Sequence, residues 1–289
     1  MTSAPVILAH GGAGRLAPQR QAAAQQGMQQ AVAAGWLLLA QGGTALQAVV
    51  ATIEILEDDP QFNAGRGSVC DTQGQVQMDA ALMTGHDLAA GAVANVRRLR
   101  HPIALARRLL TDPHLLMLVA QGAEEYAEQV GMMLCDPAEL LVPKDPEPVL
   151  PYATVGCVAY DAQGRLAAGT STGGRASSLP GRVGDSSLIG AGTYADSEAA
   201  VSCTGIGEDI IRCVLAYRTA VQLAAGAEAM AAAQLCLRQL IQTTASQAGL
   251  ILLDRHGRPG YAHNTEHMLI GMCSQASGLR LELAPGKVA

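Results

Sequence analysis

Ala153-Thr154-Val155-Gly156-Cys157-Val158-Ala159-Tyr160-Asp161, the turn Ala162-Gln163-Gly164 and then Arg165 to Thr172 read as two strands joined by a tight glycine turn. Thr154 opens the first arm, and Thr170-Ser171-Thr172-Gly173-Gly174 closes the second, so the hairpin gathers several hydroxyls at one end. Two more hairpins are expected: Val69 to Asp79, turning at Thr72-Gln73-Gly74, and Leu250 to Asp254 with Pro259 to His263 around His256-Gly257. Val6 to Ala9 reads as a short buried strand ending at His10-Gly11-Gly12-Ala13-Gly14.

The helices also come in pairs. Pro18 to Ala40 has a helical apolar pattern, with Pro18 well placed in a first turn. Thr44-Ala45-Leu46-Gln47 is a capping-box signature for a helix ending near Glu57. Pro102 to Gly131, Thr204 to about Ala225, and Ala227 to Ser246 are read as helical too. Strands in hairpins and helices in pairs favour an α+β fold, antiparallel sheets under helix layers, over a β-α-β alternation. Pro137, Pro143, Pro146, Pro148 and Pro151 crowd the stretch before Thr154 and predict an exposed linker over 136–153.

At 289 residues, 49% hydrophobic and 15% charged, the chain is a well-buried globular protein with too little polarity for disorder. Its net charge of −6 argues against nucleic acid or an anionic membrane as partner. Arg97, Arg98, Arg100, Arg107 and Arg108 stand at roughly helical spacing and read as a solvated helix face. The seven cysteines are scattered singly, which favours reduced thiols and a cytoplasmic location. No basic segment precedes the first apolar run, so no signal peptide is expected. The apolar stretch Ala31 to Ala40 falls short of the about eighteen residues a membrane span needs.

Gly12-x-Gly14-x-x-Ala17 imitates a dinucleotide fingerprint, but the acidic residue needed about twenty positions on is missing, since Glu54 is the first acid in the chain. His263 and His267 stand four apart without a third ligand and read as structural; His10 reads as a polar turn residue. The threonines carry more. A threonine hydroxyl is a poor nucleophile until a base is held beside it, and the simplest base is its own α-amine, released if the chain is cut before it. The linker delivers an accessible peptide to Thr154, and Gly181-Arg182-Val183-Gly184-Asp185 sets a guanidinium and a carboxylate three residues apart. That pair suits a zwitterion, Arg182 for an α-carboxylate and Asp185 for an α-ammonium.

Taken together, His10-Gly11-Gly12-Ala13-Gly14, Phe62-Asn63-Ala64-Gly65-Arg66-Gly67-Ser68, Met78-Asp79-Ala80-Ala81, Thr154-Val155-Gly156, Ser171-Thr172-Gly173-Gly174, Leu179 to Ser186 and Val201 to Glu208 resemble the plant-type L-asparaginases and isoaspartyl peptidases, which are N-terminal-nucleophile hydrolases. The resemblance implies a four-layer αββα sandwich forming a single domain over 1–289. It implies cleavage between Ala153 and Thr154 into chains 1–153 and 154–289, and a dimer of such pairs. It implies hydrolysis of L-asparagine and β-aspartyl dipeptides, with no cofactor for catalysis. Thr154 would be the nucleophile, with Thr172 hydrogen-bonded to it and Asn63 in contact with it. The Thr204 hydroxyl and Gly205 amide match the oxyanion hole. Arg182, Asp185 and the Gly207 carbonyl match the substrate's ligands. The loop containing Leu56, Glu57, Asp59, Phe62, Ala64 and Arg66 resembles one that holds a structural sodium ion through main-chain oxygens. One departure stands out: Ala153 occupies a position where the family usually has glycine, which predicts slow self-cleavage or another source of strain. Two alternatives stay open, a glycosylasparaginase and an uncleaved, catalytically silent binder of aspartyl ligands.

Overall fold

The structure, a computed structural model, describes residues 4–142 and 154–288. The hairpin that opened the sequence argument forms β5 (Val155–Tyr160) and β6 (Leu166–Thr172), antiparallel, with Val155 opposite Ser171 and Tyr160 opposite Leu166. Its turn is built by Asp161, whose Oδ1 accepts from the amides of Gln163 and Arg165, and by Gly164 at φ +78°. On the other side of β5 lies β1 (Val6–Gly14), also antiparallel, with His10 opposite Gly156. Beyond β6 come β2 (Met78–Thr84), β3 (Ala90–Val96) and the short parallel β4 (Met117–Val119). With β11 (His267–Ser274) and β12 (Gly278–Glu282) they make an eight-stranded sheet in the order β12-β11-β1-β5-β6-β2-β3-β4. A four-stranded sheet holds β7 (Thr193–Ala195), β8 (Ala199–Gly205), β9 (Ala248–Asp254) and β10 (Pro259–His263), in the order β10-β9-β8-β7.

The helices are α1 (Pro18–Ala40), α2 (Ala45–Asp58), α3 (Pro102–Leu110), α4 (Ala120–Gln129), α5 (Pro137–Leu140), α6 (Gly207–Cys213), α7 (Leu215–Ala224) and α8 (Ala229–Thr244). Pro18 sits in the first turn of α1, and the Thr44/Gln47 capping box closes the start of α2 in both directions. Three apolar clusters result. One joins α1, α2 and α3 to the larger sheet through Met28, Val49, Ile53, Leu82 and Ile103. A second joins α7 and α8 to the smaller sheet through Leu215, Leu237, Leu250 and Leu252. The third joins residues of both sheets: Leu8, Val158 and Leu166 from one, Ile251 and Leu253 from the other. Each fully buried aliphatic side chain stabilises the fold by about 1.5–3 kcal/mol relative to exposure. Small residues permit the close approach of the helices: Gly169 of β6 lies under Val49 and Ile53 of α2, and Gly91 of β3 under the backbone of α3.

Several expectations change. Thr204 does not begin a helix; it lies in β8, which runs to Gly205, and helix resumes only at Gly207, then breaks at Val214 (φ +49°) between α6 and α7. The expected helix over 102–131 is two helices parted by β4, because the Asp112 carboxylate caps the amides of His114 and Leu115 around Pro113. The 69–79 hairpin shrinks to one bridge, Cys70 to Val76, and Met78 onward belongs to β2. The 136–153 linker also starts late: Asp136 caps α5, Pro137 takes a first-turn position where its missing N–H does no harm, and Leu140 is buried. The rest of the linker, with Ala153, lies outside the described residues. Arg97, Arg98 and Arg100 precede α3 while Arg107 and Arg108 lie in its last turn, so the five do not share one helix face. Among the described residues no helix is long and apolar enough to cross a membrane.

Candidate active site

Thr154 stands one residue before β5, at the end of the hairpin where β6 finishes with Thr172. Antiparallel pairing brings their hydroxyls together: Thr154 Oγ1 donates to Thr172 Oγ1 at 3.0 Å, and the Gly174 amide donates to the same oxygen at 3.1 Å. Both threonines are buried. Asn63 secures the turn that follows. Its side chain donates to the Gly174 carbonyl (2.7 Å) and accepts from the Val69 amide (2.8 Å), while its own carbonyl accepts from Gly173. One side-chain bond thus runs to the turn beside Thr172 and the other to Val69, in Asn63's own loop.

Thr154 and Thr172 share a small cavity with Gly174, Arg175, Arg182, Asp185 and Gly205. The loop bearing Arg182 and Asp185 is fastened to the start of β2: Asp79 accepts from the amides of Gly184 (2.8 Å) and Asn95 (2.9 Å), and Gln77 accepts from Gly181 (2.8 Å). Glu208, in the first turn of α6, accepts from Arg182 Nε at 3.0 Å, which directs the terminal guanidinium nitrogens toward the cavity side, near Gly184 and Gly207. Gly207 lies so close to Arg182 and Asp185 that an added Cβ would stand 2.8 Å from both. Gly205, at φ +144°, lines the cavity directly. Thr204 sits behind it, fully buried, its hydroxyl accepting from the Ala13 amide at 3.4 Å.

Burial raises the Asp185 carboxyl to a pKa of about 7, opposed by hydrogen bonding to its own backbone amide and by Arg182, and assisted by Asp79 and Glu208. Its Oδ2 is buried with no hydrogen-bond partner among the described residues. A buried carboxylate in that condition is a receptor for a cation with hydrogens to donate. Asp79 is raised to about 6, again chiefly by burial.

Sequence reasoning missed what lies beneath Thr154. His10 is not a turn residue but part of β1, wholly buried. Its Nδ1 accepts from the Gly12 amide, so the proton resides on Nε2, which meets Ser202 Oγ at 3.1 Å; the ring also bonds the Thr154 backbone. Burial lowers its pKa to about 3, which keeps it neutral. Ser202 Oγ bonds Thr170 Oγ1 (2.7 Å), which accepts from Thr193 Oγ1 (2.7 Å), and Thr193 also donates to the Ser186 carbonyl (2.9 Å), a polar seam between the two sheets that reaches the back of the Asp185 loop. The signal available in the sequence was the alternation of small hydroxyl residues in strands lacking a polar face.

The loop from Leu56 to Arg66 folds tightly. The Arg66 amide donates to the Glu57 carbonyl (2.7 Å) and the Phe62 amide to the Asp59 carbonyl (3.1 Å), with Gly65 and Gly67 at positive φ. Leu56, Phe62 and Ala64 turn apolar side chains into the core. Glu57 is fully buried; burial raises its pKa well above its ordinary value, and it holds the Ser171 hydroxyl (2.5 Å) and the Ile103 amide (3.2 Å). Two of its carbonyls, those of Glu57 and Asp59, are thus already taken by amides, and Glu57 Oε2 is buried with no hydrogen-bond partner among the described residues. Among the described residues there is no cluster of three His, Cys, Asp or Glu able to hold a metal; His263 and His267 bond separately, to Thr265 and to the Leu16 amide.

The sequence matches a family described as asparaginase over residues 3–149 and 143–280. The chain belongs to this family. Similar members include a plant-type L-asparaginase of Pyrococcus abyssi (strain GE5 / Orsay), 38% identical with 91% of this chain and 94% of that protein covered. The isoaspartyl peptidase/L-asparaginase of Homo sapiens is 39% identical with 88% of each covered, and that of Danio rerio 36% identical with 88% and 87% covered. The asparaginase family match spans both arms of the Thr154 hairpin and the Arg182–Asp185 loop.

Proposed function

We propose that the chain is an N-terminal-threonine amidohydrolase that cleaves β-aspartyl dipeptides and converts L-asparagine to L-aspartate and ammonia. The observation that carries this is the Thr154–Thr172 hydroxyl pair facing an arginine and a buried aspartate across one cavity. The zwitterionic end of an aspartyl group fits there, its α-carboxylate on Arg182 and its α-ammonium on Asp185, which places the β-carbonyl toward Thr154. Relatives named as L-asparaginase and as isoaspartyl peptidase/L-asparaginase support the same chemistry.

Cutting the bond between Ala153 and Thr154 turns the Thr154 amide into an amine, whose reference pKa of ~7.7–8.0 lets it accept a proton near neutrality. The amine takes the hydroxyl proton as Oγ1 bonds to the β-carbonyl carbon. The C–N bond breaks, the leaving nitrogen receives that proton, and a β-aspartyl ester remains on Thr154. Water, deprotonated by the same amine, then opens the ester and restores the hydroxyl. The Gly205 amide, supported from behind by Thr204, is the candidate donor for the oxyanion, worth about 3 kcal/mol. Thr172 holds the attacking oxygen, Asn63 holds the turn beside Thr172, and the Gly207 carbonyl is a second contact for the ammonium.

The three apolar clusters support an αββα layering of one domain matured into chains 1–153 and 154–289. The Leu56–Arg66 loop would hold sodium through main-chain oxygens of Leu56, Glu57, Asp59, Phe62, Ala64 and Arg66, bracing Asn63. Association as a dimer of cleaved pairs, and a cytoplasmic location in keeping with free cysteines, complete the reading. The decisive test is N-terminal sequencing joined to an assay. Active protein should give a second sequence opening Thr154-Val155-Gly156, and Thr154→Ala should stay one chain and hydrolyse neither β-aspartyl dipeptides nor asparagine. Activity in an uncut chain would refute the mechanism.

A further inference from the structure

The residues around the cavity differ in one respect. Thr154, Thr172 and Asp185 are buried, and Gly174, Arg182 and Gly205 are half-buried; Arg175 alone is exposed, and so marks the rim. It directly follows Gly174, whose φ of +74° turns the chain outward while Gly174 itself stays close to Arg182. Among the described residues Arg175 is in no ion pair. Its field reaches Glu208, but that carboxylate is already bonded to Arg182 Nε.

A β-aspartyl dipeptide seated by Arg182 and Asp185, with its scissile carbon at Thr154, would extend its second residue toward solvent, and Arg175 is the exposed residue of the cavity's lining. That second residue carries a free α-carboxylate, which the ammonia released from asparagine does not. We propose that Arg175 is a specificity residue for the leaving group, its guanidinium taking the α-carboxylate of the residue that departs. The inference rests on the amidohydrolase reading and names the substrate class of the same site: dipeptides with a free carboxyl end are favoured over end-blocked or longer β-aspartyl peptides. An arginine fork suits a carboxylate better than a point charge does, and an exposed pair of this kind is screened by salt.

The experiment measures kcat/KM for β-aspartyl-leucine and for its C-terminal amide in the native enzyme, in Arg175→Gln and in Arg175→Glu, at low and high ionic strength. The native enzyme should favour the acid about fivefold, chiefly through KM, and salt should erode the preference. Arg175→Gln should bring the acid-to-amide ratio near unity, and Arg175→Glu should favour the amide. A ratio that is the same in all three proteins makes Arg175 an ordinary solvated surface arginine and overturns the inference alone. Hydrolysis of neither compound by processed native protein overturns the amidohydrolase reading, and this inference with it.

Discussion

Asp185 is held in a conflict between stability and use. Its folded pKa of about 7 lies above the ordinary carboxylate value, so the folded state binds its proton more tightly than the unfolded chain does. The stability that goes with this is present in full below the unfolded pKa and is lost as pH rises through about 7. Asp185→Asn removes the burden of the buried charge. Its melting temperature should exceed the native value by a few degrees near neutrality and above, with a smaller gain in acid, and scanning calorimetry across pH would show it. The same variant should lose roughly a hundredfold or more in kcat/KM, since the substrate ammonium loses a charged acceptor. On the proposed mechanism the acid limb of kcat/KM should carry two ionisations, Asp185 near 7 and the Thr154 amine at a reference value of ~7.7–8.0, and so fall more steeply than a single titration. A limb of single-proton slope set by the amine alone would show that Asp185 is not the receptor.

At the level of elements, α2 packs on β6 through a missing side chain. A Cβ on Gly169 would stand 2.7 Å from Leu82 and 2.8 Å from Ile53 and Val49, so Gly169→Ala should destabilise the protein by about 1–3 kcal/mol in urea. The β5–β6 hairpin was legible in the sequence because its turn carries aspartate and glycine where the backbone needs them. The paired α1 and α2 were legible from Pro18 and the Thr44 cap. β8 was not, because Ala199-Ala200-Val201-Ser202-Cys203-Thr204 is buried on both faces, which leaves no polar alternation to betray a strand. β2 and β3 share that condition. Arg182 and Asp185 stood out from their chemistry, whereas Thr172 was set apart from Thr170 and Ser171 only by the family resemblance. His10, Asp79 and Glu208 did not stand out, since each acts on another protein group and only the three-dimensional pairing reveals it.

For the molecule as a whole, the order of the larger sheet alternates between the two sides of residue 153. β12 and β11 come from the second side, β1 from the first, β5 and β6 from the second, and β2, β3 and β4 from the first. After processing, the two fragments should therefore co-elute in native size-exclusion chromatography and part only in denaturant. Replacing sodium by choline in the buffer should lower the melting temperature if the Leu56–Arg66 loop holds the ion, and leave it unchanged if that loop is self-sufficient.

The interleaved strands also limit how the gene can be divided. Two open reading frames split between codons 153 and 154 would each encode a polypeptide lacking the neighbours its own strands require. Supplied together they could assemble into an enzyme that never needed to cut itself, with the exposed amine furnished by removal of an initiator methionine; supplied apart, each would present bare sheet edges and precipitate.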